Sequence, residues 1–161
     1  MDKKIPLTKP YLTVQEEKAA CKVLRSGWLT QGEKTFEFEE SVKNYLGAKY
    51  AIATSSCTTA LHLALLSIGI GAGDEVVVPS FSFIAPANAV LYCGAKPIFV
   101  DIEISTYNVD PERIKQLVTR KTKAILVVHQ VGLPADMDRI TAIAEKHNIA
   151  IVEDAACAIG A

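Results

Sequence analysis

Ile149-Ala150-Ile151-Val152-Glu153-Asp154-Ala155-Ala156-Cys157 decides the fold of this chain. Its first four residues are apolar and three of them are β-branched. That composition suits a strand covered on both faces of a parallel sheet. Glu153 and Asp154 then stand at the strand's carboxyl end, the edge where open α/β sheets place their ligands. Small residues follow (Ala155, Ala156, Ala158, Gly160, Ala161), so another group can approach the backbone closely.

The same pattern repeats toward the amino terminus. Strands are expected at residues 50–53, 75–78, 97–100, 124–128 and 149–152. Helices are expected between them, at 58–70, 82–92, from Asp110-Pro111 to about 119, and at 136–147. Pro111 suits a first helical turn. Five apolar strands alternating with helices predict an α/β fold with a doubly wound, mainly parallel sheet and helices on both faces. Ahead of this lie an extended arm at residues 1–12 and two helices, at 13–25 and 35–46. Thr13 and Glu16 form a capping box for the first, with Val14, Ala20, Cys21 and Leu24 sharing a face. The second carries Phe36, Phe38, Val42 and Tyr45 and stops at Gly47. Between them runs the glycine-bracketed loop Ser26-Gly27-Trp28-Leu29-Thr30-Gln31-Gly32.

The chain has 161 residues, half of them apolar, and a net charge of −1. Its mean hydropathy of +0.22 is high for a soluble domain, and a doubly covered sheet accounts for it. Both signs of charge are interspersed with no basic stripe, so nucleic acid is not an expected partner. The start, Met1-Asp2-Lys3-Lys4-Ile5-Pro6, has no apolar core and does not read as a signal peptide. The longest apolar-looking run, residues 60–72, contains His62 and Ser67 and is too short to cross a bilayer, so no membrane is expected. Cys21, Cys57, Cys93 and Cys157 are widely spaced, with no CxxC and no His/Cys cluster. They read as reduced thiols in a cytoplasm rather than as a zinc site.

In a parallel sheet, whatever follows each strand shares one edge. Here those segments are Thr54-Ser55-Ser56-Cys57-Thr58-Thr59, Pro79-Ser80-Phe81-Ser82-Phe83, Asp101, His129-Gln130-Val131-Gly132 and Glu153-Asp154. Ser55 to Thr59 at a helix start is either a plain cap or an anion cradle. Phe81 and Phe83 either stack on a flat ring or pack at a helix start. Asp154 binds a metal, caps a loop, or pairs with a cationic ring nitrogen. Trp28 is either a lid or substrate contact, or a packing anchor. Among the histidines, His62 reads as a core residue and His147 as a helix C-terminal cation, which leaves His129 on the rim. Gly69-Ile70-Gly71-Ala72-Gly73 follows a helix and precedes a strand, the wrong order for a dinucleotide fingerprint. It reads as a helix stop and turn, which counts against a generic Rossmann-type enzyme. No lysine ends a strand on the rim, and Lys96 precedes a strand on the opposite edge.

Together these residues resemble the DegT-type nucleotide-sugar aminotransferases, PLP-dependent enzymes of the aspartate aminotransferase superfamily, fold type I. The similarity starts at Ile5-Pro6-Leu7. It runs through Leu24-Arg25-Ser26-Gly27-Trp28-Leu29-Thr30-Gln31-Gly32, Phe38-Glu39-Glu40, Ser56-Cys57-Thr58-Thr59-Ala60-Leu61-His62 and Gly73-Asp74-Glu75-Val76-Val77-Val78-Pro79-Ser80. It continues at Tyr107-Asn108-Val109-Asp110-Pro111, Thr122-Lys123-Ala124-Ile125, His129 with Gly132, and Glu153-Asp154-Ala155-Ala156. The resemblance implies pyridoxal 5′-phosphate as cofactor. Its phosphate would sit at Cys57 and Thr58, its ring under Phe83, and its ring nitrogen against Asp154. Cys57 stands where the family often has glycine. Cys157 stands where the family usually has Gln or His against the cofactor's phenolic oxygen, and a thiol is a weaker donor.

Trp28 and Thr30 match a region near the sugar-nucleotide site. The implied reaction moves an amino group from an amino-acid donor, L-glutamate, to a keto group of a nucleotide-linked sugar, in surface polysaccharide, lipopolysaccharide or glycoconjugate biosynthesis. A cytoplasmic homodimer is implied. Residues 1–48 would form the arm, two helices and substrate-side loop, and residues 49–161 an incomplete PLP-binding domain without the small C-terminal domain. The family's Schiff-base lysine lies beyond the Glu-Asp-Ala-Ala motif and is not in this sequence. The chain alone is therefore expected to be inactive, and the alternative reading is a non-catalytic PLP-binding or interaction module.

Overall fold

A computed structural model describes residues 9–160. The greater part of the expected arm, including Ile5-Pro6-Leu7, lies outside the described residues, as does Ala161. The chain divides into two compact units, with the boundary between Ile52 and Ala53.

The first unit holds α1 (Val14–Ser26) and α2 (Glu33–Leu46). The capping box forms as its sequence dictates. The Thr13 side chain accepts from the Gln15 backbone, and Glu16 reaches back to the Thr13 N–H at 2.6 Å. Two orphan donors of the first turn are satisfied in this way. Gly27 (φ +73°) and Gly47 (φ +62°) close the helices in left-handed conformation. The expected apolar faces are present, but neither helix carries a buried residue.

The second unit holds α3 (Cys57–Ser67), β1 (Glu75–Pro79), α4 (Ala85–Tyr92), β2 (Lys96–Val100), α5 (Pro111–Leu117), β3 (Thr122–Val128), α6 (Met137–His147) and β4 (Ala150–Asp154). The four strands are parallel, in the order β2-β1-β3-β4. Side chains alternate between faces as strand geometry requires. Val77, Ile125 and Val127 point into one core with Ile114 of α5 and Ile140 and Ile143 of α6. Val76, Val78, Ala124 and Leu126 point into the other with Leu61 and Leu65 of α3 and Val90 of α4. Helices thus cover both faces, and the near-continuous apolar strands are explained.

Two expectations are corrected. Residues 50–53 form no strand, and Tyr50 and Ile52 are exposed. An extended segment becomes a strand only where another takes its ladder bonds. The helix expected from residue 82 begins at Ala85, because Pro86 belongs in a first turn. The last strand, expected at 149–152, runs from Ala150 to Asp154, so Glu153 and Asp154 stand at its carboxyl end as expected and lie opposite Val127 and Val128. In addition, α3 stops at Ser67 and Gly69 turns the chain with φ +81°. His62 is half-buried against the edge of Tyr92 rather than enclosed in the core.

Candidate functional site

β1 hands the chain to α4 on one face of the sheet, and β3 hands it to α6 on the other. β1 and β3 are neighbours, so their carboxyl ends frame the crevice where doubly wound sheets bind ligands. The segments around this crevice are the start of α3, residues 80–84, residues 129–135 and the end of β4.

Asp154 is buried, 7% exposed, at the last position of β4. Its Oδ1 accepts the Ala156 N–H at 3.1 Å, which closes the turn after the strand. The Cys57 thiol points at the same oxygen from 3.5 Å. Asp154 therefore caps its loop with one oxygen and leaves the other, Oδ2, without a hydrogen bond among the described residues. No group of three or more His, Cys, Asp or Glu is arranged for a metal ion among the described residues.

Ser56 caps α3, its Oγ accepting the Thr59 N–H at 3.2 Å. The plain cap is thus realised. Among the described residues, no acceptor takes the N–H groups of Cys57 and Thr58, and no hydrogen bond uses the Thr58 hydroxyl. Such donors at a helix start attract anions. Partial burial and then the neighbouring Asp154 carboxylate push the Cys57 thiol up to about 11. It is a neutral donor at physiological pH, not a nucleophile.

Phe83 is 79% exposed, so it does not pack at the helix start. Phe81 is half covered and its ring lies tilted on Tyr107, 5.5 Å between centroids. The backbone oxygen of Phe81 accepts a 2.5 Å bond from Gln130 Nε2. His129 is buried, and its Nδ1 accepts the Ala135 N–H at 3.1 Å. The proton of the neutral ring therefore sits on Nε2, where it donates to Glu153 Oε2 at 2.9 Å. His129 N–H also donates to the Asp154 carbonyl at 3.2 Å. Gly132 (φ +90°) lets the backbone close on the following loop: a Cβ there would stand 3.0 Å from the Cys157 carbonyl oxygen. The Cys157 thiol itself is exposed.

Cys57 and Asp154 are thus brought into contact. Thr58 lies beside them on α3, and Cys157 lies in the loop after β4. Phe83 sits on the neighbouring loop. Trp28 and Thr30 belong to the other unit, where they line a groove with Lys22, Ser26, Lys34 and Phe36. Trp28 is largely exposed and anchors its own loop, Nε1 donating to the Gln31 carbonyl at 2.9 Å.

Asn108 and Gln130 lie beside this rim, and the sequence pattern does not single them out. Asn108 is buried; its Oδ1 accepts the Gln130 N–H at 2.9 Å, and its Nδ2 donates to the carbonyls of Leu133 and Pro134. The signal was a polar amide in each of two segments that face the same rim.

Residues 10–161 match the DegT/DnrJ/EryC1/StrS aminotransferase family. Over 98% of its length the chain is 45% identical to a GDP-perosamine synthase of Caulobacter vibrioides, covering 43% of that protein. Over 97% of its length it is 42% identical to a UDP-4-amino-4-deoxy-L-arabinose–oxoglutarate aminotransferase of Shewanella sediminis, covering 40% of that protein. Among solved structures it resembles NtdA of Bacillus subtilis with bound cofactor PMP. There the TM-score is 0.86 at 37% identity, covering 99% of this chain and 39% of that one. The chain spans about two fifths of the length of the curated relatives it matches.

Proposed function

This chain belongs to the DegT/DnrJ/EryC1/StrS aminotransferase family, and from that membership we propose that the whole protein is a PLP-dependent aminotransferase acting on a nucleotide-linked keto sugar. L-Glutamate is the proposed amino donor. The relatives named for nucleotide-sugar products support the substrate class. A place in surface polysaccharide or glycoconjugate synthesis, a cytoplasmic location and a homodimer are proposed with it. The described residues contain no helix long and apolar enough to cross a membrane.

One observation carries the reading. Asp154 is buried, with Oδ1 engaged and Oδ2 without a hydrogen bond among the described residues, and the unpaired donors of Cys57 and Thr58 stand at the start of the helix whose thiol touches it. That donor set fits an aromatic cation with a phosphate arm. When bound, pyridoxal phosphate supplies an electron-withdrawing protonated ring and a carrier for the amino group. Asp154 would keep the ring nitrogen protonated, since a carboxylate in a low-dielectric site stabilises an adjacent cation. Cys57 and Thr58 would hold the phosphate through their N–H groups and the Thr58 hydroxyl. Phe83 would cover the ring. Cys157 would stand near the phenolic oxygen, as a weak donor. Trp28 and Thr30 would contact the nucleotide sugar.

The lysine that completes the chemistry in this family is proposed to lie in the part of the relatives that this chain does not span. The last lysine in the sequence is Lys146, on α6. Residues 1–48 are proposed as the substrate-side segment and 49–161 as part of the cofactor domain. The test is to load the full-length protein with PLP and supply nitrogen-labelled L-glutamate with a keto nucleotide sugar. Label should appear in an amino nucleotide sugar. PLP uptake without transfer from any amino acid to any such sugar would overturn the proposal.

A further inference from the structure

The segment Phe81-Ser82-Phe83 joins β1 to α4 and is held at few points. Among the described residues, one hydrogen bond and one ring contact reach it. Gln130 Nε2 donates to the Phe81 carbonyl at 2.5 Å, and the Phe81 ring lies on Tyr107. A carbonyl oxygen only accepts, so the amide of Gln130 must face it with Nε2 rather than Oε1.

Gln130 is itself fixed from several sides. It is buried, 9% exposed, and its N–H is taken by Asn108 Oδ1. The residue before it, His129, is bonded to the Asp154 carbonyl, to Ala135 and to Glu153. The residue after it, Val131, has φ +53° and is 92% exposed. A β-branched residue in the left-handed region is strained and persists only where its surroundings impose the conformation. Backbone distortion is thus concentrated next to the side chain that crosses to Phe81. One short path results: Asp154 carbonyl to His129 N–H, one peptide onward to Gln130, and its amide to the Phe81 carbonyl.

We infer that Gln130 is a positioning residue, whose amide sets the Phe81–Phe83 segment relative to Asp154 and so places the aromatic wall of the site. This rests on the proposed roles of Phe83 and Asp154 as cofactor contacts. Gln130 touches neither cofactor nor substrate and acts only through the Phe81 carbonyl.

The test uses the full-length protein and two variants, Gln130→Leu and Gln130→Glu. Chymotryptic cleavage after Phe81 and Phe83 is mapped by mass in the cofactor-free protein, each rate relative to wild type at the same pH. Gln130→Leu should be cut there about tenfold faster, because a segment with fewer restraints opens more often. Gln130→Glu should be cut fast at about pH 8 and near the wild-type rate at about pH 5, because burial at this position raises the titration of a carboxyl, and the protonated form again donates to the carbonyl. In PLP-loaded protein, Gln130→Leu should lose most of the visible circular dichroism of the cofactor. Wild-type cleavage rates, equal acceleration along the whole chain, or faster cleavage with unchanged dichroism would each overturn the inference. If Gln130→Leu does not fold, the pH comparison in Gln130→Glu decides alone. A wild-type protein that takes up no PLP overturns the cofactor reading instead, and the proteolysis still decides whether Gln130 holds the segment.

Discussion

Cys57 Sγ lies 3.5 Å from Asp154 Oδ1, although 97 positions separate the two residues in the sequence. The contact ties the start of α3 to the end of β4. Its chemistry is one-directional: the thiol donates and the carboxylate accepts. With the thiol pushed up to about 11, Cys57 should react with iodoacetamide slowly at neutral pH, and its rate should climb until the pH approaches that value. Asp154→Asn should shift this profile down only in part, because desolvation outranks the carboxylate as a cause. Peptide mapping of the alkylated thiols reads it directly. A midpoint near the ordinary value of 9.0 in the wild-type protein would refute the contact.

The same shift has a stability sign. The folded value stands above the ordinary one, so folding favours the neutral thiol. That contribution is complete below about 9.0 and is lost as pH rises toward 11. Denaturation midpoints measured across that window should fall more steeply in wild type than in Cys57→Ser. Parallel curves would contradict it.

His129 uses both ring nitrogens, one as acceptor and one as donor. His129→Phe keeps the ring but leaves the buried Ala135 N–H without an acceptor. The expected cost is about 1–3 kcal/mol by urea denaturation. A loss within experimental error would show that the bond contributes nothing.

Val131 and Gly132 should respond with opposite signs. Gly132→Ala meets both a φ of +90° and a backbone oxygen 3.0 Å away that cannot move aside. It should cost about 1–3 kcal/mol. Val131→Gly relieves a left-handed conformation worth about 1–2 kcal/mol, against about 0.5–1 kcal/mol of added chain entropy. The net is a small gain, visible as a slightly raised denaturation midpoint. A destabilised Val131→Gly would mean that the backbone there is not strained.

The sheet was legible because its signal is local. Val76-Val77-Val78 and Ile125-Leu126-Val127 are apolar throughout, and Asp110-Pro111 and Asp136 start helices by cap chemistry that needs no tertiary partner. The false strand at residues 50–53 shows the limit. Its β-branched and aromatic residues suit a strand, but a ladder needs a neighbour, and neighbours are not written in the segment itself. The site followed the same division. Asp154 announces itself by ending an apolar run. Gln130 and Asn108 do not, since their meaning lies in bonds across 49 and 22 positions of sequence. Residues at left-handed φ are as silent when they are not glycine: nothing in Tyr107 or Val131 as residue types foretells φ of +58° and +53°.

The central assignment is Asp154 as the partner of the cofactor's ring nitrogen. Amino-group transfer by the full-length, PLP-loaded protein should fall about 100- to 1000-fold in Asp154→Ala, the range for removing one preorganised electrostatic partner. The fall should be in turnover rather than in sugar affinity. Asp154→Ala with wild-type turnover would contradict the assignment outright.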